Sequence, residues 1–543
     1  MPQPQPTNYI YQSIAQAIMD HDIDTMFGLM GDANLFMVDH YVRHCGGTFI
    51  PVAIEGSSVL MALAYAKVSG KVGIATVTHG PALTNCVTAI VEGVRARMPM
   101  VLLAGDTPVT NPQNLQNIDQ RELIKTTGAG FIQLRSIDTV TEDIAHAIYR
   151  TQTEKRPIVV NMPADFMWQE APYKSMRLPV FNTPTLVPEG DDFDNAIGMI
   201  ASAKRPVILA GGGAIDAKQS LVELAERLQA PVATTLKAKG LFNDQPYNMD
   251  IFGTLSTDAA YDLIAKADCI IAFGASLHHF TTDKGKLVEG KRVIQINNEV
   301  TEISKNFHPT VGLTADARLT AENIIYWLNE AEVPASGFTL DIEPFSLNRH
   351  TPAKKQMASD GKVDYIYALE QLEQHLPKQR ILTSDGGRFM TEVWCRMSVP
   401  CPRYFLSTAH FGSIGLGLQE AIGAGFASDL PVVMFTGDGG FMMGGINEFN
   451  TAVRMNSDLI VIVANDSAYG AEHIQFLDRQ MDPGLSMFSW PSFAEVATSL
   501  GGQGIEVASP EDLELAMDAI GKRTKPLLIE LKLDPNDVPR MRI

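Results

Sequence analysis

Val432-Val-Met-Phe-Thr436 runs straight into Gly437-Asp438-Gly439-Gly440, and Leu459-Ile-Val-Ile-Val463 runs into Ala464-Asn465-Asp466-Ser-Ala468-Tyr469-Gly470. Each is a short apolar run closed by a turn, the pattern of a strand buried on both faces. A helical stretch at about 446–454 lies between them, the crossover that two parallel strands need. Parallel strands deliver their following turns to one edge of the sheet, the carboxyl edge, where ligands collect. Asp438 and, 28 positions further on, Asp466 bring carboxylates to that edge, and the glycines around them let backbone amides approach an anion. Paired carboxylates beside exposed amides suit a hard cation holding a diphosphate.

The same alternation extends upstream. Val72-Gly-Ile-Ala-Thr-Val-Thr78 and Met100-Val-Leu-Leu-Ala104 flank a helical stretch at 84–97. Pro206-Val-Ile-Leu-Ala210, a helix at about 220–229, Pro231-Val-Ala-Thr-Thr235 and Cys269-Ile-Ile-Ala-Phe273 repeat it. Two stretches interrupt the pattern: 163–190, with Pro163, Pro172, Pro179, Pro184 and Pro188, and 333–361, with Pro334, Pro344 and Pro352. The expectation is an α/β protein of three consecutive doubly wound parallel-sheet domains over 1–175, 190–335 and 360–543. That division suits 543 residues at roughly 100–200 per domain. A composition 45% hydrophobic and 19% charged excludes a disordered or collagen-like chain. The net charge of −19 repels phosphate backbones and anionic lipid, so neither nucleic acid nor a membrane is expected as partner. No apolar run approaches the roughly 18 residues of a membrane helix, and Met1-Pro-Gln-Pro-Gln-Pro6 has no basic leader. Five cysteines without a C-x-x-C pair signal neither a disulfide framework nor zinc. These features predict a cytoplasmic enzyme acting on a small molecule.

The G-D-G turn answered by Asn465-Asp466 resembles the signature of the thiamine-diphosphate (ThDP) enzymes of the acetolactate synthase and pyruvate decarboxylase superfamily, with Asp466 where a second Asn is usual. The resemblance covers the whole chain in the order pyrimidine-binding, central and diphosphate-binding domain. It implies Mg²⁺ held by Asp438, Asp466 and the carbonyl of Ala468, and a diphosphate cradled by Gly437, Gly439, Gly440, Tyr469 and Gly470. Pro51-Val-Ala-Ile-Glu55-Gly56 looks like the family's strand ending in a glutamate, so Glu55 would bond the aminopyrimidine and promote deprotonation of the thiazolium. Thr78-His79-Gly80-Pro81-Ala82-Leu-Thr84-Asn85 parallels the loop lining the pyrimidine, which implicates Pro81 and Asn85 in cofactor binding. Gly412-Ser413-Ile414-Gly415 resembles the turn whose apolar side chain, here Ile414, bends the cofactor, and Ser384-Asp385-Gly386-Gly387-Arg388 matches a segment that contacts it, Arg388 being able to meet phosphate.

The substrate is left open. Asp32 and Glu472 match acidic positions of decarboxylases that release an aldehyde, but the His-His pair of those enzymes is replaced by Asn111-Pro-Gln-Asn-Leu-Gln116. Gln116 matches the synthases instead, although their acceptor-recognising tryptophan is missing from Glu472-His473-Ile-Gln-Phe476. His79 and His473 lie on segments expected to face the thiazolium and complete the candidate catalytic set. Decarboxylation of a 2-oxo acid with aldehyde release or carboligation is the first reading. A lyase acting on a 2-hydroxyacyl thioester or 2-hydroxyketone shares every cofactor residue, and a non-catalytic paralogue is the third alternative. Gly211-Gly212-Gly213 admits a nucleotide, but Phe273–Phe280 lacks the arginine of flavin-binding relatives, so FAD, though conceivable, is not expected. By resemblance the pyrimidine and diphosphate halves meet across a two-fold interface of a homodimer or homotetramer.

Overall fold

A computed structural model describes residues 7–179, 185–358 and 360–542; the Pro/Gln tract at 1–6 and Pro184 of the first break lie outside them. Three six-stranded sheets with only parallel pairings follow one another along the chain. The first contains Thr25–Gly28, Thr48–Pro51, Gly73–Val77, Met100–Asp106, Gly130–Gln133 and Ile158–Pro163. Their spatial order is second, first, third, fourth, sixth, fifth. The last contains Ile381–Ser384, Phe405–Ser407, Val432–Gly437, Leu459–Asn465, Gln503–Val507 and Leu527–Lys532, in the same order. The middle sheet, from Pro206–Ala210 to Val311–Thr314, runs third, second, first, fourth, fifth, sixth, the order of dinucleotide-binding folds. Strands such as Leu459–Asn465, buried at every position, are covered by helices on both faces, as their uninterrupted apolar character requires. An antiparallel ribbon of Thr7–Tyr9 with Glu170–Pro172 ties off the first sheet.

Helix boundaries differ from the sequence reading in informative places. The strand expected to end in Glu55 stops at Pro51, and Glu55 is the first residue of the helix Glu55–Ser69. Helix formers crowd that segment, and a carboxylate in a first turn suits the positive end of the helix dipole. The stretch 84–97 divides into Pro81–Thr84 and Val87–Ala96.

Helix Glu55–Ser69 is buried along nearly its whole length, with the first sheet on one side and helix Gly417–Gly425 on the other. A Cβ on Gly423 would stand 2.2 Å from the carbonyl oxygen of Met61, so the two backbones touch. The ring of Phe27 meets that of Phe426 edge-on at 6.0 Å, and one hydrophobic cluster joins the first and last sheets. In the middle sheet Gly211 and Gly274 abut: a Cβ on Gly211 would lie 2.2 Å from the carbonyl of Gly274, whose own φ is +58°. Backbone crowding against Gly274 thus accounts for Gly211 and Gly213 of the glycine run after Pro206–Ala210, whereas a Cβ on Gly212 would meet only the Lys237 side chain, at 3.4 Å.

Candidate active site

A cavity of about 1540 Å³ opens beyond the carboxyl ends of the last sheet. Its wall contains Gly386, Gly387, Arg388, Ile414, Gly437–Gly440, Asp466, Ala468–Gly470 and Glu472. The turns that carry Asp438 and Asp466 converge because their strands are neighbours, with Gly437 in register with Ala464. Asp438 and Asp466 are both buried. Burial, and then the charge of Asp466, push Asp438 up to about 7. Burial pushes Asp466 up to about 6, with the Arg388 guanidinium 4.0 Å away pulling in the opposite direction. Two neighbouring buried acids whose burial disfavours their charged forms, Asp438 being raised further by the charge of Asp466, fit a divalent cation placed between them. Among the described residues no three His, Cys, Asp or Glu side chains converge, so such a cation would complete its shell from carbonyls, phosphate oxygens and water.

Glycine is required around this pair. A Cβ on Gly439 would lie 2.5 Å from the ring of Tyr469, and one on Gly440 would lie 2.6 Å from Oδ2 of Asp385. Asp385 organises the surrounding turns. Its Oδ1 accepts from the backbone N–H of Gly386 at 2.8 Å and from the Thr408 hydroxyl, and its Oδ2 accepts from Gly415 N–H at 2.8 Å and from the Thr436 hydroxyl. One carboxylate thereby fixes the ends of three strands and the entry to Ile414. The sequence reading passed over Asp385 in favour of the glycines beside it. It also missed Trp490, whose Nε1–H donates to Asp438 Oδ2 at 2.9 Å while its ring stacks on Phe488.

Two expected residues point elsewhere. Arg388 lines the cavity, yet its guanidinium donates to the carbonyls of Pro535, Val538 and Pro539, anchoring the C-terminal segment. His473 is buried behind Glu472, with Nε2 3.2 Å from Asn536 Oδ1 and Nδ1 3.5 Å from the Ser486 hydroxyl; it ties its helix to the same segment and is not part of the cavity wall. Glu472 itself is exposed in the cavity.

A second cluster forms at the carboxyl ends of the first sheet. Asn85 Nδ2–H donates to Glu55 Oε2 at 3.0 Å. Thr78 donates its hydroxyl to Asp32 Oδ1 at 2.9 Å, and His79 Nε2 stands 3.4 Å from the same oxygen. The ring of His79 is buried and its Nδ1 has no hydrogen-bond partner. Gly80, at φ +59°, presses on the backbone of Gln116, whose carbonyl is 2.2 Å from where a Cβ would stand. Pro81 opens the short helix that follows. Behind the turn, buried Gln120 accepts from Gly80 N–H and donates to the carbonyl of Gly105. Glu55, Asp32, His79, Pro81, Asn85 and Gln116 thus gather on one sheet edge, and none of them lines the cavity that holds Asp438 and Asp466.

Comparison with known proteins gives three matches in chain order. Residues 9–123 match the family model of the thiamine pyrophosphate enzyme N-terminal TPP binding domain, 193–324 that of the central domain, and 385–531 that of the C-terminal TPP binding domain. The chain is 27% identical over 563 residues to a probable acetolactate synthase large subunit of Methanococcus aeolicus, covering 98% of this chain and 93% of that one. It is 27% identical over 569 residues to a sulfoacetaldehyde acetyltransferase of Alcaligenes xylosoxydans xylosoxydans, covering 96% and 92%. It is 26% identical over 552 residues to the acetolactate synthase large subunit of Haemophilus influenzae, covering 97% and 94%.

Proposed function

The chain belongs to the thiamine pyrophosphate enzymes, and from that premise we propose a ThDP- and Mg²⁺-dependent carboligase or acyltransferase that decarboxylates a 2-oxo acid and passes the remaining fragment to an acceptor. The observation that carries this reading is the buried pair Asp438 and Asp466 at adjacent strand exits, with Ile414 and the glycine turns in the same wall. In this reading Asp438, Asp466 and the Ala468 carbonyl would hold the cation, and the turns at Gly437–Gly440 and Tyr469–Gly470 would cradle the diphosphate, the Gly439 N–H bracing Asp438 Oδ1 at 2.9 Å. When bound, ThDP supplies a carbon that adds to the substrate carbonyl and accepts the electron pair freed by bond cleavage. Glu55, oriented by Asn85, moves the proton that activates the cofactor's pyrimidine ring. Asp32, hydrogen-bonded to Thr78 and next to His79, and Glu472, exposed in the cavity, are in this reading the groups that give or take protons at the substrate. Gln116 binds substrate from the loop beside Gly80. Transfer is favoured over aldehyde release because the relatives named above are synthases and acetyltransferases.

A second reading, a lyase for a longer 2-hydroxyacyl thioester, is favoured by the same cavity, whose wall continues from Phe389 past Trp394 to Lys237 and Gly212 of the middle sheet. A panel of 2-oxo acids with and without acceptor aldehydes, run beside a 2-hydroxyacyl thioester, separates the two. The middle domain is read as flavin-free, which a colourless purified protein supports and a yellow one refutes. The five free cysteines fit a reducing compartment, and we assign the protein to the cytoplasm.

Because the two residue clusters stand apart in one chain, we assign the working unit as a homodimer or homotetramer in which each site takes Glu55 from one subunit and Asp438 from another. Large apolar side chains are exposed around both clusters, among them Leu115 at 98% and Val109 near Gln116, and Leu485 at 89% and Met487 near Tyr469. Inactive Glu55→Gln and inactive Asp438→Ala subunits, mixed and allowed to exchange, regain activity through the site that holds both intact residues. Exchange without recovery refutes the shared site.

A further inference from the structure

The first and last sheets have the same strand order, and their equivalent helices meet. Helices Glu55–Ser69 and Gly417–Gly425 each follow the second strand of their sheet and pack on one another. Helices Val87–Ala96 and Ile446–Arg454 each follow the third strand, and each carries a fully buried glutamate that reaches into the opposite domain. Glu448 Oε1 accepts from the backbone N–H of Ala53 at 3.0 Å and of Ile54 at 3.1 Å. Glu92 Oε1 accepts from His410 N–H at 3.1 Å and lies 2.7 Å from His410 Nδ1, while Oε2 accepts from Phe411 N–H at 2.7 Å. The reciprocity extends to the arginines: Arg95 lies over the ring of Phe411, and Arg454 donates to the carbonyl of Pro51.

We propose that Glu448 and Glu92 are reciprocal positioning residues, each fixing the cofactor-facing turn of the opposite domain. Glu448 sets the direction in which the chain enters the helix that begins with Glu55, and Glu92 sets the segment that leads into Ser413 and Ile414. This rests on the reading of Glu55 and Ile414 as cofactor residues. A buried carboxylate is costly unless N–H donors surround it, so apolar side chains would be the cheaper filling for an interface already this apolar. Two successive amides on one carboxylate fix a peptide's orientation as well as its position.

The two glutamates differ in a way that makes the proposal testable. Glu448 uses only one oxygen, and its Oε2 has no hydrogen-bond partner. An amide with its oxygen in the Oε1 position keeps both bonds, so Glu448→Gln is tolerated and Glu448→Met is not. Glu92 uses both oxygens, so Glu92→Gln points an NH₂ at a backbone N–H and breaks the clamp.

The test is amide hydrogen exchange of the full-length variants, with and without ThDP and Mg²⁺, beside the exchange of the C2 proton of bound ThDP. Glu448→Met accelerates amide exchange at 51–56 by about tenfold or more, as expected when two hydrogen bonds to a buried side chain are lost. It leaves 432–440 unchanged, slows the C2 proton, and shifts the ThDP dissociation constant little. Glu448→Gln matches the parent protein in all of these, and Glu92→Gln accelerates amide exchange at 408–414. Uniformly faster exchange across both domains marks a merely structural role and overturns the proposal, as does unchanged exchange at 51–56 in Glu448→Met. If Glu448→Met does not fold, the two glutamine variants decide: a perturbed Glu92→Gln beside a parent-like Glu448→Gln supports the clamp, and equal behaviour overturns it. Failure of the parent protein to bind ThDP sinks the functional reading alone, since the amide exchange of the cofactor-free chain still judges the clamp.

Discussion

Trp490 shows how a single side chain conditions the candidate metal site. Its Nε1–H occupies one lone pair of Asp438 Oδ2 and so limits the directions from which that oxygen can meet a cation. Partners of this kind are worth about 10–100-fold in metal affinity. Trp490→Phe should therefore weaken Mg²⁺ or Mn²⁺ binding by about tenfold while leaving the fold intact. In the parent protein the cation should change tryptophan emission, and titration of both proteins followed by fluorescence checks this. An equal change in the variant would mean that the signal, and the cation, lie elsewhere. Asp438 and Asp466 could be read as neighbours from the sequence because each follows an apolar strand closed by a turn, whereas Glu55 stood out only through its resemblance to the family's motif. Trp490 was not legible, since its bond to Asp438 spans 52 positions and no local pattern announces it. His473 misled for the same reason: proximity in sequence to Glu472 says nothing about Asn536, the residue that draws its ring away from the cavity.

At the scale of elements, the paired helices Glu55–Ser69 and Gly417–Gly425 enclose an acid whose charged form their packing disfavours. Glu420 is fully buried with neither carboxylate oxygen hydrogen-bonded. Burial first, then the nearby Glu92 and Asp385, hold its pKa well above the usual carboxylate range. The folded protein thus keeps a proton that the unfolded chain releases above about pH 4.3. The stability this group contributes is complete below that pH and is lost as pH rises toward its folded value. Glu420→Gln, which keeps the shape without titrating, should melt at nearly the same temperature as the parent at pH 4.5 and about 2–4 °C higher at pH 8. Melting curves across that range check it, and a margin that shrinks with rising pH would contradict the assignment. The alternation of strands and helices was readable from apolar runs, whereas the boundary at Glu55 was not. The residues between that strand and the helix are held in part by Glu448, which accepts from Ala53 and Ile54 across 395 and 394 positions, a contact that a local window cannot contain.

For the whole molecule, the three parallel sheets were visible in the sequence as three blocks, but their mutual arrangement was not. Nothing local says that the first and last sheets share a core while the middle one stands beside them. Among the described residues no helix is long and apolar enough to cross a membrane, so the apolar helix Glu55–Ser69 finds its cover within the protein. That cover is helix Gly417–Gly425, which leaves the ribosome only after the entire middle domain has been made. During synthesis the first domain must therefore wait, with a greasy face uncovered, for a segment some 360 residues downstream. Such a delay invites chaperone capture and aggregation, and it makes maturation of the first domain slower than its own topology requires. Residues 1–175 produced alone should accumulate as insoluble or dye-binding material, and co-production with residues 360–543 should restore soluble protein, as sedimentation of the lysate would report. A soluble, cooperatively melting fragment 1–175 would show instead that the first half matures unaided and that docking of the late helix comes as a separate, final event.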